Sequence, residues 1–367
     1  MKKRMNRHVA VGAMLLVGAF LFSPLAADAQ VKGQCADCHT MHNSQGGTSV
    51  VGSGPYGMLL TGDCIGCHST TGTSGRGGSS NNIPYVNHTS VDPSLAPGGM
   101  LAGGSFRWVK TEDAKGHSVL GIADTQTLMT PPGFNNTGGY DVAQRLTCAG
   151  TNGCHGDRTK TGDYAALSGA HHAAPKAANK ASGYMDGTDM ANSYRFLSGI
   201  KGMESADWES LQALASRNVY SGVHRTDDTT NNAATISSLC GQCHGDFHAK
   251  ANGISANSGM SSPWVRHPTD FDMAVKFRGT TKEYATYAYS MEAPVASANI
   301  SNTYARPAAA DILSADGDAI VTCISCHRAH GSNHADLLRW DYAGMKAHDG
   351  TAAAGGCFHC HTTKDDA

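Results

Sequence analysis

The cysteines of this chain fall into a repeated pattern that restricts its fold more than any other feature. The clearest copy is Cys323-Ile-Ser-Cys326-His327, in which two cysteines separated by two residues precede a histidine. This Cys-x-x-Cys-His spacing is the attachment signature of c-type haem. The two thiols become thioethers of one porphyrin, and the next histidine binds its iron as the proximal ligand. The segment therefore predicts one covalently bound haem.

Six copies of this pattern together use all twelve cysteines. The thiols predicted to attach haem are Cys35, Cys38, Cys64, Cys67, Cys148, Cys154, Cys240, Cys243, Cys323, Cys326, Cys357 and Cys360. The predicted proximal ligands are His39, His68, His155, His244, His327 and His361. Because no cysteine is left over, we predict six haem c groups, each with its iron.

The third copy is stretched and leaves two interpretations open. Five residues, Ala-Gly-Thr-Asn-Gly, separate Cys148 from Cys154. This flexible insert can loop out, so that both thiols still reach one haem. The alternative is a disulfide without haem, which an oxidising compartment would permit. We favour haem, because a disulfide would leave the adjacent His155 unexplained.

The N-terminus has the features of a secretory signal. Basic residues at positions 2, 3, 4 and 7 precede an apolar run from Val9 to Phe22, and Ala27-Asp28-Ala29 suits cleavage after Ala29. We therefore predict a signal peptide over residues 1–29 and a single cytochrome domain over 30–367. The apolar run is too short to span a bilayer comfortably and no second run follows, so we expect a secreted chain without a transmembrane segment. Its expected location is extracellular or on the outer cell surface, with the periplasm as the alternative.

The composition predicts a fold with little regular secondary structure. Leu, Ile, Val and Phe make up 55 of 367 residues, too few for an ordinary side-chain core. We therefore expect mostly coil with short α-helices, folded around a chain of haems that supplies the core. The best helix candidate is 205–218, where Trp208, Leu211 and Ala215 share one face. Without residues 1–29, 24 basic and 29 acidic side chains remain, and no basic tract indicates nucleic-acid binding.

Six irons need six distal ligands, and twelve histidines remain after the signal and the motifs are set aside. His42, His248 and His330 are the first candidates because each follows a motif closely. His88, His117 and His267 come next, and His171, His172 and His224 are reserves. His359 lies between two cysteines and is expected to be a spectator. This surplus favours bis-histidine ligation over methionine, which would raise the haem potential.

A histidine that closely follows a motif is expected to serve another haem. His330 is three residues beyond His327, so their Cα atoms are at most about 11 Å apart. It cannot easily reach the opposite face of the same porphyrin. The same argument applies to His42, three residues beyond His39, whose iron lies elsewhere in the chain or in another copy.

Several segments resemble a known family. Cys35–Ser44 resembles the first haem motif of the OmcS-like hexahaem cytochromes of metal-reducing bacteria, and similarity continues in patches that include 103–109, 115–117, 239–248, 266–268 and 323–330. The order and number of motifs agree, whereas the intervening segments are dissimilar. Two departures are the spacing of Cys148 and Cys154, and Arg158, where the family has histidine.

The resemblance implies an extracellular filament subunit that conducts electrons and is not an enzyme. In this family the haems are bis-histidine ligated and form a continuous chain. The histidine matching His42 binds the haem of a neighbouring subunit, here that of His327, in a head-to-tail homopolymer. The implied partners are other copies, other multihaem cytochromes, and metal oxides or electrodes as acceptors. The alternatives are a periplasmic electron shuttle and a multihaem reductase, which would need an open iron position.

Overall fold

The computed structural model describes most of the chain beyond the N-terminal segment. The described residues are 31, 33–45, 48–49, 56–69, 83–88, 101–123, 130–134, 139–205, 214–225, 232–248, 267–277, 284–346 and 355–362. The predicted signal peptide at 1–29 and most of the predicted helix at 205–218 lie outside them. Within these ranges, no helix is long and apolar enough to cross a membrane.

All α-helices in the described ranges are one or two turns long. They are α1 (Cys35–Cys38), α2 (Cys64–Cys67), α3 (Asp163–Ala166), α4 (Ala177–Lys180), α5 (Ile236–Gly241), α6 (Gly245–His248), α7 (Met273–Phe277) and α8 (Cys323–Cys326). Local capping explains why they begin where they do. Asp63 accepts a hydrogen bond from the backbone of Gly66 (2.6 Å) at the start of α2, and Thr235 caps α5 in the same way.

Short 3₁₀ turns provide much of the remaining regular structure. They span Gly57–Leu59, Trp108–Lys110, Asp113–Lys115, Ala170–His172, Met190–Asn192, Tyr194–Phe196, Leu214–Ser216, Ala309–Asp311, Ala335–Leu337 and Gly356–His359. The prediction of mostly coil with short helices is therefore confirmed.

Eight very short strands form two sheets in the part of the chain that the structure describes. They are β1 (Ser44–Gln45), β2 (Thr48–Ser49), β3 (Tyr184–Met185), β4 (Gly202–Met203), β5 (Val219–Ser221), β6 (Phe271–Asp272), β7 (Ala296–Ser297) and β8 (Ile320–Val321). β1 and β2 form a hairpin, and the others form one sheet in the order β3-β4-β5-β7-β8-β6. Only the β5–β7 pair is parallel. The sequence analysis did not predict this sheet, because two-residue strands are too short to show an alternating pattern.

The larger sheet separates two apolar clusters. Ile320 packs on one face of β8, with Tyr220 and Ile324, whereas its neighbour Val321 packs on the other face. This follows from the alternation of side chains along a strand. The second cluster includes Tyr284, Tyr287 and Tyr289, whose spacing fits neither a helix nor a strand. Part of the core is therefore built from side chains, around a sheet that leads directly into α8.

Candidate haem-binding sites

Each cysteine motif forms one tight turn that ends at its histidine. In five motifs the histidine N–H donates to the carbonyl of the first cysteine, at 2.8 to 3.1 Å. These bonds join His39 to Cys35, His68 to Cys64, His244 to Cys240, His327 to Cys323 and His361 to Cys357. The turn brings two thiols and an imidazole to one place, as covalent haem attachment requires.

The stretched motif closes in the same way as the regular ones. The N–H of His155 donates to the carbonyl of Cys148 at 3.0 Å, although six residues separate them. The insert folds back on itself, since Gly153 donates to Gly150 at 2.9 Å. The extra residues therefore loop out and leave the histidine in the position that it has in the other motifs.

The motif histidines are oriented with Nε2 available to a metal. In five of them Nδ1 lies 2.6 to 3.0 Å from a backbone carbonyl: His39 on Met58, His68 on Pro84, His155 on Arg195, His244 on Pro132 and His327 on Asp336. Because a carbonyl can only accept, Nδ1 carries the proton and Nε2 keeps its lone pair. Such a bond is the usual second partner of a metal-binding histidine.

Five motif histidines face a histidine from outside the motifs. Two imidazoles that bind one metal through Nε2 at ~2 Å on opposite sides have ring centres roughly 6 Å apart. The observed ring-centre distances are 5.8 to 6.4 Å for the pairs His39–His172, His68–His171, His155–His330, His244–His117 and His361–His267. The residues present therefore fit five bis-histidine haem sites.

Burial favours the neutral form of several of these imidazoles. It lowers the pKa of His330 to about 3 and that of His171 to about 4, and nearby imidazoles add to the effect. Burial also lowers the pKa of His68, His117 and His155. A neutral imidazole is the form that binds a metal.

Residues 103–106 hold the imidazole of His330. The backbone N–H of His330 donates to the carbonyl of Gly103 at 2.7 Å. The imidazole of His330 stacks on the ring of Phe106, with ring centres 4.6 Å apart. Gly104 pairs with Gly331 as an isolated bridge, and its φ of +76° suits glycine. A Cβ at Gly104 would collide with the carbonyl of Gly331. The resemblance noted at 103–109 thus covers a segment that positions a candidate ligand.

The sixth motif histidine, His327, has a different environment. Its Nδ1 bonds to Asp336, but no second imidazole lies at ligand distance from its ring among the residues that the structure describes. His42 is exposed on the surface beside Met41, which is 75% exposed. Neither side chain completes a pair with another imidazole among the described residues of one copy.

Three of the six distal candidates are brought to a motif histidine, and two others in the described ranges are not. His117, His267 and His330 are paired as described above. His88 instead lies with Nδ1 3.2 Å from the hydroxyl of Ser105, and the side chain of His248 lies outside the described residues. His42 has no partner imidazole in its own copy within the described ranges.

The reserve residues His171 and His172 face two of the motif histidines. They belong to the 3₁₀ turn Ala170–His172, which directs consecutive rings to His68 and His39. Closeness to a motif in the sequence did not predict the positions of these two residues. The signal that the sequence offered was the pair of consecutive histidines. His224 accepts at Nδ1 from the N–H of Asp272 (2.9 Å), so it has the opposite tautomer from a metal ligand.

Cysteines of successive motifs lie side by side. The Sγ atoms of Cys64 and Cys148 and a carboxylate oxygen of Asp163 all lie within 4.8 Å of one another. The contact with Cys148 and burial raise the pKa of the Cys64 thiol far above its usual range. Cys240 contacts Cys323 in the same manner. Neighbouring attachment sites therefore adjoin one another.

Comparisons with known proteins find similar sequences and structures. The family described as "Doubled CXXCH motif" matches residues 315–366. C-type cytochrome OmcS of Geobacter sulfurreducens is 27% identical over 403 residues, covering 94% of this chain and 86% of that protein. The structure of the Outer Membrane Cytochrome S filament from that organism covers 86% of this chain and 85% of its own, at 19% identity and a TM-score of 0.44. A second structure, of OmcS nanowires, covers 92% and 91%, at 22% and 0.42. Over most of its length the chain is therefore similar to the c-type cytochrome OmcS, and it carries the repeated cysteine motifs of multihaem c-type cytochromes.

Proposed function

We propose that this chain conducts electrons outside the cell through six covalently attached haem c groups, as one subunit of a head-to-tail polymer. The observation that carries the proposal is the arrangement of histidines. Five motif histidines each face a second imidazole, and His327 has no such partner among the described residues of its own copy. A second copy can supply the missing ligand.

Each bound haem supplies a one-electron iron couple, and the chain fixes its ligation and surroundings. The cysteines of each motif anchor the group, and the paired histidines hold its iron from both sides. In this assignment His171 and His172 take the places first expected for His88 and His248. With both histidines of a pair bound to one iron, no position would remain for a substrate, so these sites would favour electron transfer over substrate binding.

An internal repeat supports His42 as the missing ligand. The first and fifth motifs are each followed by the same bonded scaffold: Thr40 to Leu59 (2.7 Å) and Thr61 to Cys38 (2.8 Å) in one, Arg328 to Leu337 (2.8 Å) and Arg339 to Cys326 (2.9 Å) in the other. His42 and His330 occupy the same place in the two scaffolds, three residues beyond the motif histidine. Because the two positions are equivalent, we expect both histidines to bind an iron.

The role of His330 indicates where His42 reaches. His330 faces His155, the histidine of the motif two places before its own. Two places before the first motif there is no motif in the same chain. In a head-to-tail polymer that place belongs to the fifth motif of the preceding copy, whose histidine is His327. Such contacts do not close on themselves and extend as a filament.

The similarity to OmcS, whose filaments have been solved as nanowires, supports the same assembly for this chain. We infer that the chain is exported by the signal at 1–29 and works outside the cell, with other multihaem cytochromes, metal oxides or electrodes as acceptors. A single domain over 30–367 suits this role, because neighbouring attachment sites adjoin along the chain.

Replacement of His42 tests the proposal. His42→Ala monomers should carry six haems by mass but form no filaments by electron microscopy. One haem per chain should bind carbon monoxide. His334→Ala, which removes an imidazole from outside the proposed ligand set, is the control and should polymerise normally.

Filaments of unchanged length in His42→Ala would exclude the trans ligand. A carbon monoxide response in wild-type filaments would instead favour a reductase, because a filled iron has no place for it. Six-haem monomers that never polymerise would favour the soluble shuttle.

A further inference from the structure

Three pairs of residues adopt a left-handed backbone that is uncommon outside glycine. Their φ angles are +58° and +58° at Met58-Leu59, +49° and +58° at Arg195-Phe196, and +56° and +57° at Asp336-Leu337. A Cβ disfavours this conformation for an L residue. Its recurrence in consecutive pairs therefore calls for a compensating interaction.

Every pair holds one motif histidine by the same two hydrogen bonds. The first carbonyl accepts from Nδ1, and the second accepts from the backbone N–H that follows the histidine. The bonds are His39 to Met58 (3.0 Å) and Thr40 to Leu59 (2.7 Å); His155 to Arg195 (2.9 Å) and Gly156 to Phe196 (2.7 Å); His327 to Asp336 (2.6 Å) and Arg328 to Leu337 (2.8 Å).

The left-handed conformation explains how one turn makes both bonds. Consecutive residues in a helical conformation direct their carbonyls the same way along the axis. Two adjacent acceptors can then meet two adjacent donors, the imidazole and the next amide. In each case a leucine follows the turn and forms a β-bridge: Leu60 with His39, Leu338 with His327, and Leu197 with Gly156, the residue after His155.

We propose that these three turns are positioning elements that fix the tautomer of the first, third and fifth motif histidines and increase the electron donation of Nε2. This inference rests on the proposed haem ligation. An Nδ1–H that donates to a carbonyl makes the imidazole a stronger base, which stabilises ferric over ferrous iron. The second and fourth motifs use the carbonyls of Pro84 and Pro132 instead. The turns therefore mark alternate sites along the chain.

Met58 offers the cleanest test, because its side chain is 49% exposed. Met58→Gly and Met58→Asn accept a positive φ, whereas the β-branched side chain of Met58→Val opposes it. In Met58→Val, one of the haems should shift to a higher midpoint potential, and one low-spin signal should move in the electron paramagnetic resonance spectrum. Met58→Gly and Met58→Asn should match wild type in both measurements.

The same comparison at Asp336 guards against a variant that fails to fold. Asp336→Asn removes the charge and keeps the tolerance for positive φ, whereas Asp336→Val removes both. A shift in Asp336→Val alone supports a role of the turn. An equal shift in both variants assigns the effect to the carboxylate and overturns the inference.

Wild-type spectra and potentials in both valine variants would also overturn it. Failure of the underlying haem assignment would look different. In that case the mass of the wild-type protein would lack the haem at Cys35 and Cys38, whichever residue stands at position 58.

Discussion

The imidazoles of His155 and His330 lie with ring centres 6.3 Å apart, although the two residues come from distant parts of the chain. His155 ends the stretched motif, and His330 follows the fifth motif by three residues. The pair therefore ties the middle of the chain to its C-terminal part. Substitutions around this pair can therefore test both the stretched motif and the proposed role of a histidine that follows a motif.

The mature protein should have the mass of the polypeptide plus six haems. The count depends on the stretched motif. The N–H of its histidine donates to the carbonyl of Cys148, as in the regular motifs, so we expect this motif to hold a haem. Cys154→Ser should weaken attachment at this site and reduce the haem content of the purified protein. A wild-type mass with five haems, unchanged in Cys154→Ser, would show that the motif is empty.

Replacement of His330 should open one iron. In His330→Ala, one of six low-spin haems should become high-spin and bind carbon monoxide, since the ring facing His155 is lost. His88→Ala is a matched control, because His88 bonds to Ser105 instead of facing a motif histidine. Optical titration with carbon monoxide measures both variants. Equal responses from the two would contradict the assignment.

Alanine at Gly104 should disturb the same ligand through the backbone. The added Cβ would meet the carbonyl of Gly331, beside His330, so we expect a loss of about 3 kcal/mol or more in the free energy of unfolding. Gly139 has a similar φ of +78° but open space around its Cβ position. Gly139→Ala should therefore cost only ~1 kcal/mol, from backbone strain alone. Thermal unfolding compares the two, and similar losses would show that crowding at Gly104 is unimportant.

Apoprotein made without haem attachment should be disordered. Only 55 of 367 residues are Leu, Ile, Val or Phe, and the two clusters that contain Ile320 and Val321 are small. Limited proteolysis and calorimetry should find rapid cleavage and no cooperative transition, in contrast to the haem-loaded protein. A compact apoprotein that melts cooperatively would mean that the side chains suffice.

The sequence predicted the composition of the sites better than their pairing. The motif turns follow from spacing alone, because Cys-x-x-Cys-His fits one helical turn. The partners of His39 and His68 do not follow from spacing. They depend on how the turn at 170–172, which is more than a hundred residues away in the sequence, packs against the motifs. Nor did the sequence reveal the left-handed turns. Met58 and Asp336 carry no glycine signal, and their similarity emerges only when the two bonded scaffolds are compared.

The pairing of His171 and His172 with the first two motifs has a consequence for the timing of maturation. A chain exported from its N-terminus presents His39 and His68 long before their partners have crossed the membrane. His244, by contrast, follows its partner His117 and can pair at once. Under the proposed ligation, the first two motifs would therefore lack their second histidine until residues 171 and 172 have been exported. The rate of export, and any factor that protects an iron with only one histidine ligand during export, would then affect the maturation of this protein.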